Sequence, residues 1–124
     1  MSDIDYNDLD PGIREVVWWL RSHGFHTTDS GDGVSKWANP PEWMAPEDEQ
    51  CGVLRVPHVF MVERSGRAGI TAGNHLARLL RARGIDLSPI QADGSGVCIQ
   101  VTYDVGNPEL TTIALFGVTS EMVG

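Results

Sequence analysis

The stretch TTDSGDG, residues 27–33, sets two carboxylates, two hydroxyl types and two glycines within seven positions. Asp29 and Asp32 could serve as hard oxygen ligands, but a calcium loop of the EF-hand type needs further acids at fixed spacing and a terminal Glu, and residues 34–37 supply neither. Thr28, Asp29, Ser30, Gly31, Asp32 and Gly33 could instead cradle a phosphate, because glycines let a ligand approach the backbone N–H groups. No helix pattern and no Lys-Ser/Thr ending follow, so a P-loop is not formed. The remaining reading is a glycine-supported turn in which Asp29 or Asp32 caps local N–H groups.

Arg64 and Arg67 lie in RSGRAG, a glycine-rich run expected to turn into a helix for which Thr71 is the N-cap. Guanidinium forks grip phosphate bidentately and a helix N-terminus adds a favourable dipole, so these three residues form an anion candidate. Of the four histidines, no pair has the helical i, i+4 spacing that enforces metal geometry. His26 and His58 fall on separate expected strands; if those strands are neighbours, the two imidazoles could act as acid and base together with Asp29. Ser30 lacks a nucleophile elbow, and neither Cys51 nor Cys98 stands near a histidine in sequence, so covalent catalysis is not expected. No metal and no cofactor is implied.

These residues need elements to position them. Asp10-Pro11 supplies an N-cap and a first-turn proline; Ile13, Val16, Val17 and Leu20 share one helical stripe; Gly24 stands where a left-handed stop belongs. Trp18 points away from that stripe and is the expected subunit contact. Residues 25–28 read as a short strand ended by TTDSGDG. Residues 34–53 form a long loop carrying Lys36, Trp37, Trp43 and the acidic run Glu47-Asp48-Glu49. Residues 56–62 read as an interior strand, and Ala72, Leu76, Leu79 and Leu80 mark the buried side of a second helix that stops at Gly84. Residues 85–90 suggest a weak edge strand. The alternation from Val97 to Tyr103, a turn at Gly106-Asn107-Pro108 and the run from Leu110 to Val118 form a hairpin. The expected fold is an α+β two-layer sandwich: two helices on one face of a four- or five-stranded, mainly antiparallel sheet.

The 124 residues are one domain's worth of chain, with residues 1–9 as a loosely held acidic start. Two distant cysteines argue against a disulfide framework. The N-terminus is acidic rather than signal-like, which leads to an expectation of a cytosolic protein without membrane association. A net charge of −8 argues against a nucleic-acid polymer as partner. The charge is uneven: residues 51–83 hold six arginines against one acid, residues 1–50 hold eleven acids against three bases, and residues 84–124 hold five acids and no base.

The run LDPGIREVVWWLRSHGFHTTDSGDG, with PHVFMV and the leucine-striped helix ending in RARG, resembles small proteins of unassigned role encoded by bacteriophages of actinobacteria. More coarsely, the size and plan look like phage anti-defence sponges, which sequester cyclic nucleotide or cyclic ADP-ribose signals between subunits. That resemblance implies a homo-oligomeric, non-enzymatic binder in the host cytoplasm, although no binding residue can be carried over. Arg64, Arg67 and Lys36 would hold anionic groups, and Trp18, Trp37 or Trp43 would stack on a base. Two other readings compete with it. One is an acidic inhibitor that docks Asp3 to Asp10 and Glu47 to Glu49 on a host protein; the other is a small hydrolase using His26, His58 and Asp29.

Overall fold

The computed structural model describes residues 9–33, 56–91, 95–104 and 107–123. A 3-10 turn, Pro11–Ile13, runs into helix α1, Arg14–Ser22. Strand β1, Thr27–Gly31, and strand β2, His58–Glu63, precede the long helix α2, Gly66–Ala82. Strands β3, Cys98–Asp104, and β4, Asn107–Phe116, follow, and a short helix α3, Ser120–Val123, closes the order. The four strands make one antiparallel sheet in the order β1-β2-β4-β3, so the α+β architecture expected from the pattern is the observed one.

Register decides which side chains share a face, because cross-strand partners point the same way. Val59 pairs with Leu115, which pairs with Ile99; Met61 pairs with Ile113, which pairs with Val101. These rows face the helices and join Ile13, Val16, Val17, Trp19 and Leu20 of the first helical segment, and Leu76 and Leu80 of α2, in a single core. Each fully buried Leu, Ile or Val contributes about 1.5–3 kcal/mol by leaving water. The opposite face carries the rows His58, Phe116, Cys98 and Phe60, Ala114, Gln100. No helix among the described residues is long and apolar enough to cross a membrane.

Both long helices end alike. Gly24 and Gly84 adopt φ of +88° and +78°, and the next residues, Phe25 and Ile85, donate back to Leu20 and Leu80. Each glycine supplies the left-handed turn that this hydrogen-bond pattern requires, and the chain leaves the helix as the periodicity predicts.

The structure corrects the beginnings of elements. β1 does not span residues 25–28: residues 27–31 are the strand, with a bulge between Thr27 and Asp29. RSGRAG is not a turn ahead of a helix capped by Thr71. Ser65 is the N-cap, its hydroxyl accepting from the Ala68 N–H at 3.0 Å, and the helix starts at Gly66. The glycines serve packing: a Cβ on Gly69 would collide with the Thr111 side chain, and one on Gly73 would come within 3.1 Å of Val101. Residues 85–90 form no strand; the segment is tied by Ser88 N–H to Val97 O and Gln91 N–H to Ser95 O, both 2.7 Å. β4 begins at Asn107, inside the expected turn. The long loop expected over 34–53 lies outside the described residues.

Candidate functional site

The strands bearing His26 and His58 are neighbours, yet their register separates the two imidazoles. His58 lies opposite Gly31, whereas the His26 carbonyl accepts from Val62 N–H at 3.1 Å. The offset of four positions along β2, from 58 to 62, amounts to about 13 Å of strand. The residues expected to form one site therefore divide between two ends of the β1–β2 ladder. Asp29 lies between them, exposed, with Oδ1 accepting its neighbour's Ser30 N–H at 2.9 Å. The acid-base trio of His26, His58 and Asp29 is not assembled by the described residues.

One end is a closed bracket. Asp10 accepts the Asp32 N–H at 3.2 Å, and Asp32 in turn accepts the Gly12 N–H at 3.2 Å, so the exit of β1 is laced to the entry of α1. Asp10 occupies the N-cap position as expected but makes no side-chain cap; the carboxylate that reaches the first turn comes from Asp32, twenty residues on. Asp32 and His58 are 6% and 2% exposed, which sets them apart from the otherwise solvated ionisable groups described here. The His58 Nδ1 lies 2.9 Å from the Val56 carbonyl, which can only accept, so Nδ1 carries a proton and donates it there. The ring rests against Gly31: a Cβ there would stand 2.6 Å from Cε1 and 3.0 Å from Nε2, and 3.5 Å from an Asp10 carboxylate oxygen. Asp32 crowds Gly12 similarly, at 2.9 Å from the place of a Cβ. Gly33 makes the turn beyond, with φ of +79°.

The other end is open and bears cations. Arg64 follows β2, fully exposed, and leads through Ser65 into the first turn of α2, where Arg67 is also exposed. Thr71 lies one turn further on the solvent side of α2, beside Arg67 at the i, i+4 spacing. A cleft of about 410 Å³ is lined by His26, Val62, Glu63, Arg64 and Leu110. Thr28 borders this end of β1 and spends its hydroxyl on the Phe60 carbonyl, 3.3 Å away. Ser30 pairs with Val59, at the closed end.

Trp18 is 57% exposed on α1, as its place on the helical wheel predicts. Lys36, Trp37, Trp43, the acidic run at 47–49 and Cys51 lie outside the described residues. Among those described, no three His, Cys, Asp or Glu side chains come together as a metal site would require. Sequence reasoning missed Asp10 and Gly12 as partners of Asp32. No local pattern in the sequence pairs residues twenty or more positions apart. No family model, curated protein or solved structure matches the chain.

Proposed function

We propose that this protein is a non-enzymatic binder of a small nucleotide-derived anion, taken up at the open end of the β1–β2 ladder. The observation that carries the reading is the cleft of about 410 Å³ lined by His26 and Arg64 beside the N-terminus of a seventeen-residue helix. Arg64 offers a planar fork for a phosphate, the first turn of α2 adds a positive dipole end, and Arg67 widens the cationic rim. Glu63 in the same lining accepts hydrogen bonds and so favours a ligand that also carries hydroxyl or amine donors, as a nucleoside does. Leu110 and Val62 give the apolar wall against which a ring can lie. Such a protein would sequester its ligand rather than transform it, the role that the resemblance to phage sponges implies.

Calorimetric titration with a panel of cyclic nucleotides and ADP-ribose derivatives tests this. Saturable binding that weakens with added salt, and that falls at least tenfold in Arg64→Ala, is expected. Flat titrations across the panel at high protein concentration would remove the proposal.

A further inference from the structure

Among the described residues, the two edges of the sheet differ in how they are defended. β1 is five residues long, carries an exposed carboxylate at Asp29 and is bent by a bulge between Thr27 and Asp29. Short length, charge and bulges are the devices by which edge strands avoid pairing with other chains. β3 has seven residues, no proline and no charged residue before Asp104, and its register is regular until the irregularity between Tyr103 and Asp104. Among the described residues no strand lies beyond it, and the 85–91 segment meets its start through Ser88 N–H to Val97 O. Its core-facing Ile99 and Val101 remain only partly buried.

The helix above this edge is unfinished on the same side. Gly69, Gly73, Leu76 and Leu80 face the sheet, and His75 stacks on Phe25 at 5.8 Å, which identifies the flank of α2 turned toward α1. At 100° per residue, Ile70 and Ala77 fall on the opposite flank, over the β3 side. Ile70 is 48% exposed there.

We propose that β3 pairs antiparallel with β3 of a second copy of this chain, making one continuous eight-stranded sheet. Gly69 packs on Thr111 of β4 and Gly73 on Val101 of β3, so α2 is seated over the seam between these strands. With strands about 4.8 Å apart, a two-fold axis at the outer edge of β3 brings the two copies of α2 to about 10 Å, the usual separation of packed helices. An axis near Val101 and Gly73 sets Ile70 against the second copy's Ala77, twice by symmetry. A strand pair alone falls short of the roughly 800 Å² per partner of a stable interface, and the α2 flanks add to it. A free extended peptide would cover the strand and leave Ile70 in water, which favours a second copy as the occupant. The axis also sets Gln100 beside Thr102 of the other copy on the open face.

Mass measurement by light scattering at roughly 100 μM, above the micromolar range of weak interfaces, tests the assignment. The expected result is twice the 13.5 kDa chain mass. Two variants at exposed side chains should return it to the monomer with an unchanged circular dichroism spectrum: the double change Gln100→Lys with Thr102→Lys, which gathers four like charges at the axis, and Ile70→Glu on α2. If one variant loses its fold, the other decides. A monomeric parent protein, or dimers that survive in the folded variants, would overturn the proposal. So would a dimer dissociated only by Trp18→Ser, which would assign the contact to α1.

Discussion

The two ends of the β1–β2 ladder hold similar inventories of polar groups and treat them oppositely. At the Gly31 end every carboxylate and imidazole described is engaged: Asp10 on Asp32 N–H, Asp32 on Gly12 N–H, His58 on Val56 O, beside two glycines where a Cβ would crowd the His58 and Asp32 side chains. At the Arg64 end the cationic side chains stand in water beside a cleft. Burial and mutual satisfaction are what polar groups do when they hold a fold, since an unpaired buried donor or acceptor costs about 1–3 kcal/mol. Exposure beside a concavity is what they do when their partner comes from outside. Asp32 and His58 are thus engaged within the fold, and the exposed Arg64 and Arg67 at the start of α2 are the candidates for binding.

The contrast can be broken most forcefully at Gly31. Gly31→Val drives a branched side chain into the His58 ring, and an overpacked site of this kind should lower unfolding free energy by about 3 kcal/mol in urea titration. A loss below about 0.5 kcal/mol would mean that the ring is free to move aside. Asp32→Ala comes next: it strips the Gly12 N–H of its acceptor and should cost about 1–2 kcal/mol, while Asp32→Asn, which keeps an acceptor, should recover at least half of that. Arg64→Ala should leave stability within about 0.5 kcal/mol and yet weaken ligand binding tenfold, about 1.4 kcal/mol. Equal effects on stability and binding would erase the distinction between the ends.

The smallest effect concerns Cys98, at the far side of the row that runs from Gly31 through His58 and Phe116. Burial pushes its thiol above the ordinary value of 9.0, and a hydrogen bond with the Ile90 backbone partly opposes this. The folded state therefore favours the neutral thiol. That contribution is complete below pH 9 and is lost as pH rises through the higher folded value. Alkylation at pH 8, followed at the Cys98 peptide by mass spectrometry, should be slower in the folded than in the urea-unfolded chain.

Periodicity made much of the fold legible. The α1 stripe, the Leu76–Leu80 stripe, the alternation of β3 and both glycine stops are local signals, and each corresponds to an observed element. Where the reading failed, a glycine had two meanings. Gly66 and Gly69 look like a turn in one dimension; in three, Gly69 and, further along, Gly73 let α2 approach Thr111 and Val101, a purpose visible only from the sheet beneath. Gly31 also packs against the His58 ring, a contact that no local pattern announces. The Asp32–Gly12 bond spans twenty residues, and no local pattern announces it. The weak strand at 85–90 failed for a simpler reason: Pro89 has no N–H to give a ladder.

The glycines of α2 also impose an order in time. Its second half, LARLLRA, consists of strong helix formers, whereas the first half carries residues that disfavour the helix by up to about 1 kcal/mol each. Left to itself the first half cannot nucleate; it can wind only once β4 presents Thr111 as a surface to lie on. The helix should accordingly grow backwards, from Leu80 toward Gly66, and fray in the reverse direction. In native-state hydrogen exchange, amides of residues 70–73 should open at lower free energy than those of residues 79–82. The segment that opens first is then the one beneath Arg67, so the cationic rim rests on the part of α2 that is last to form.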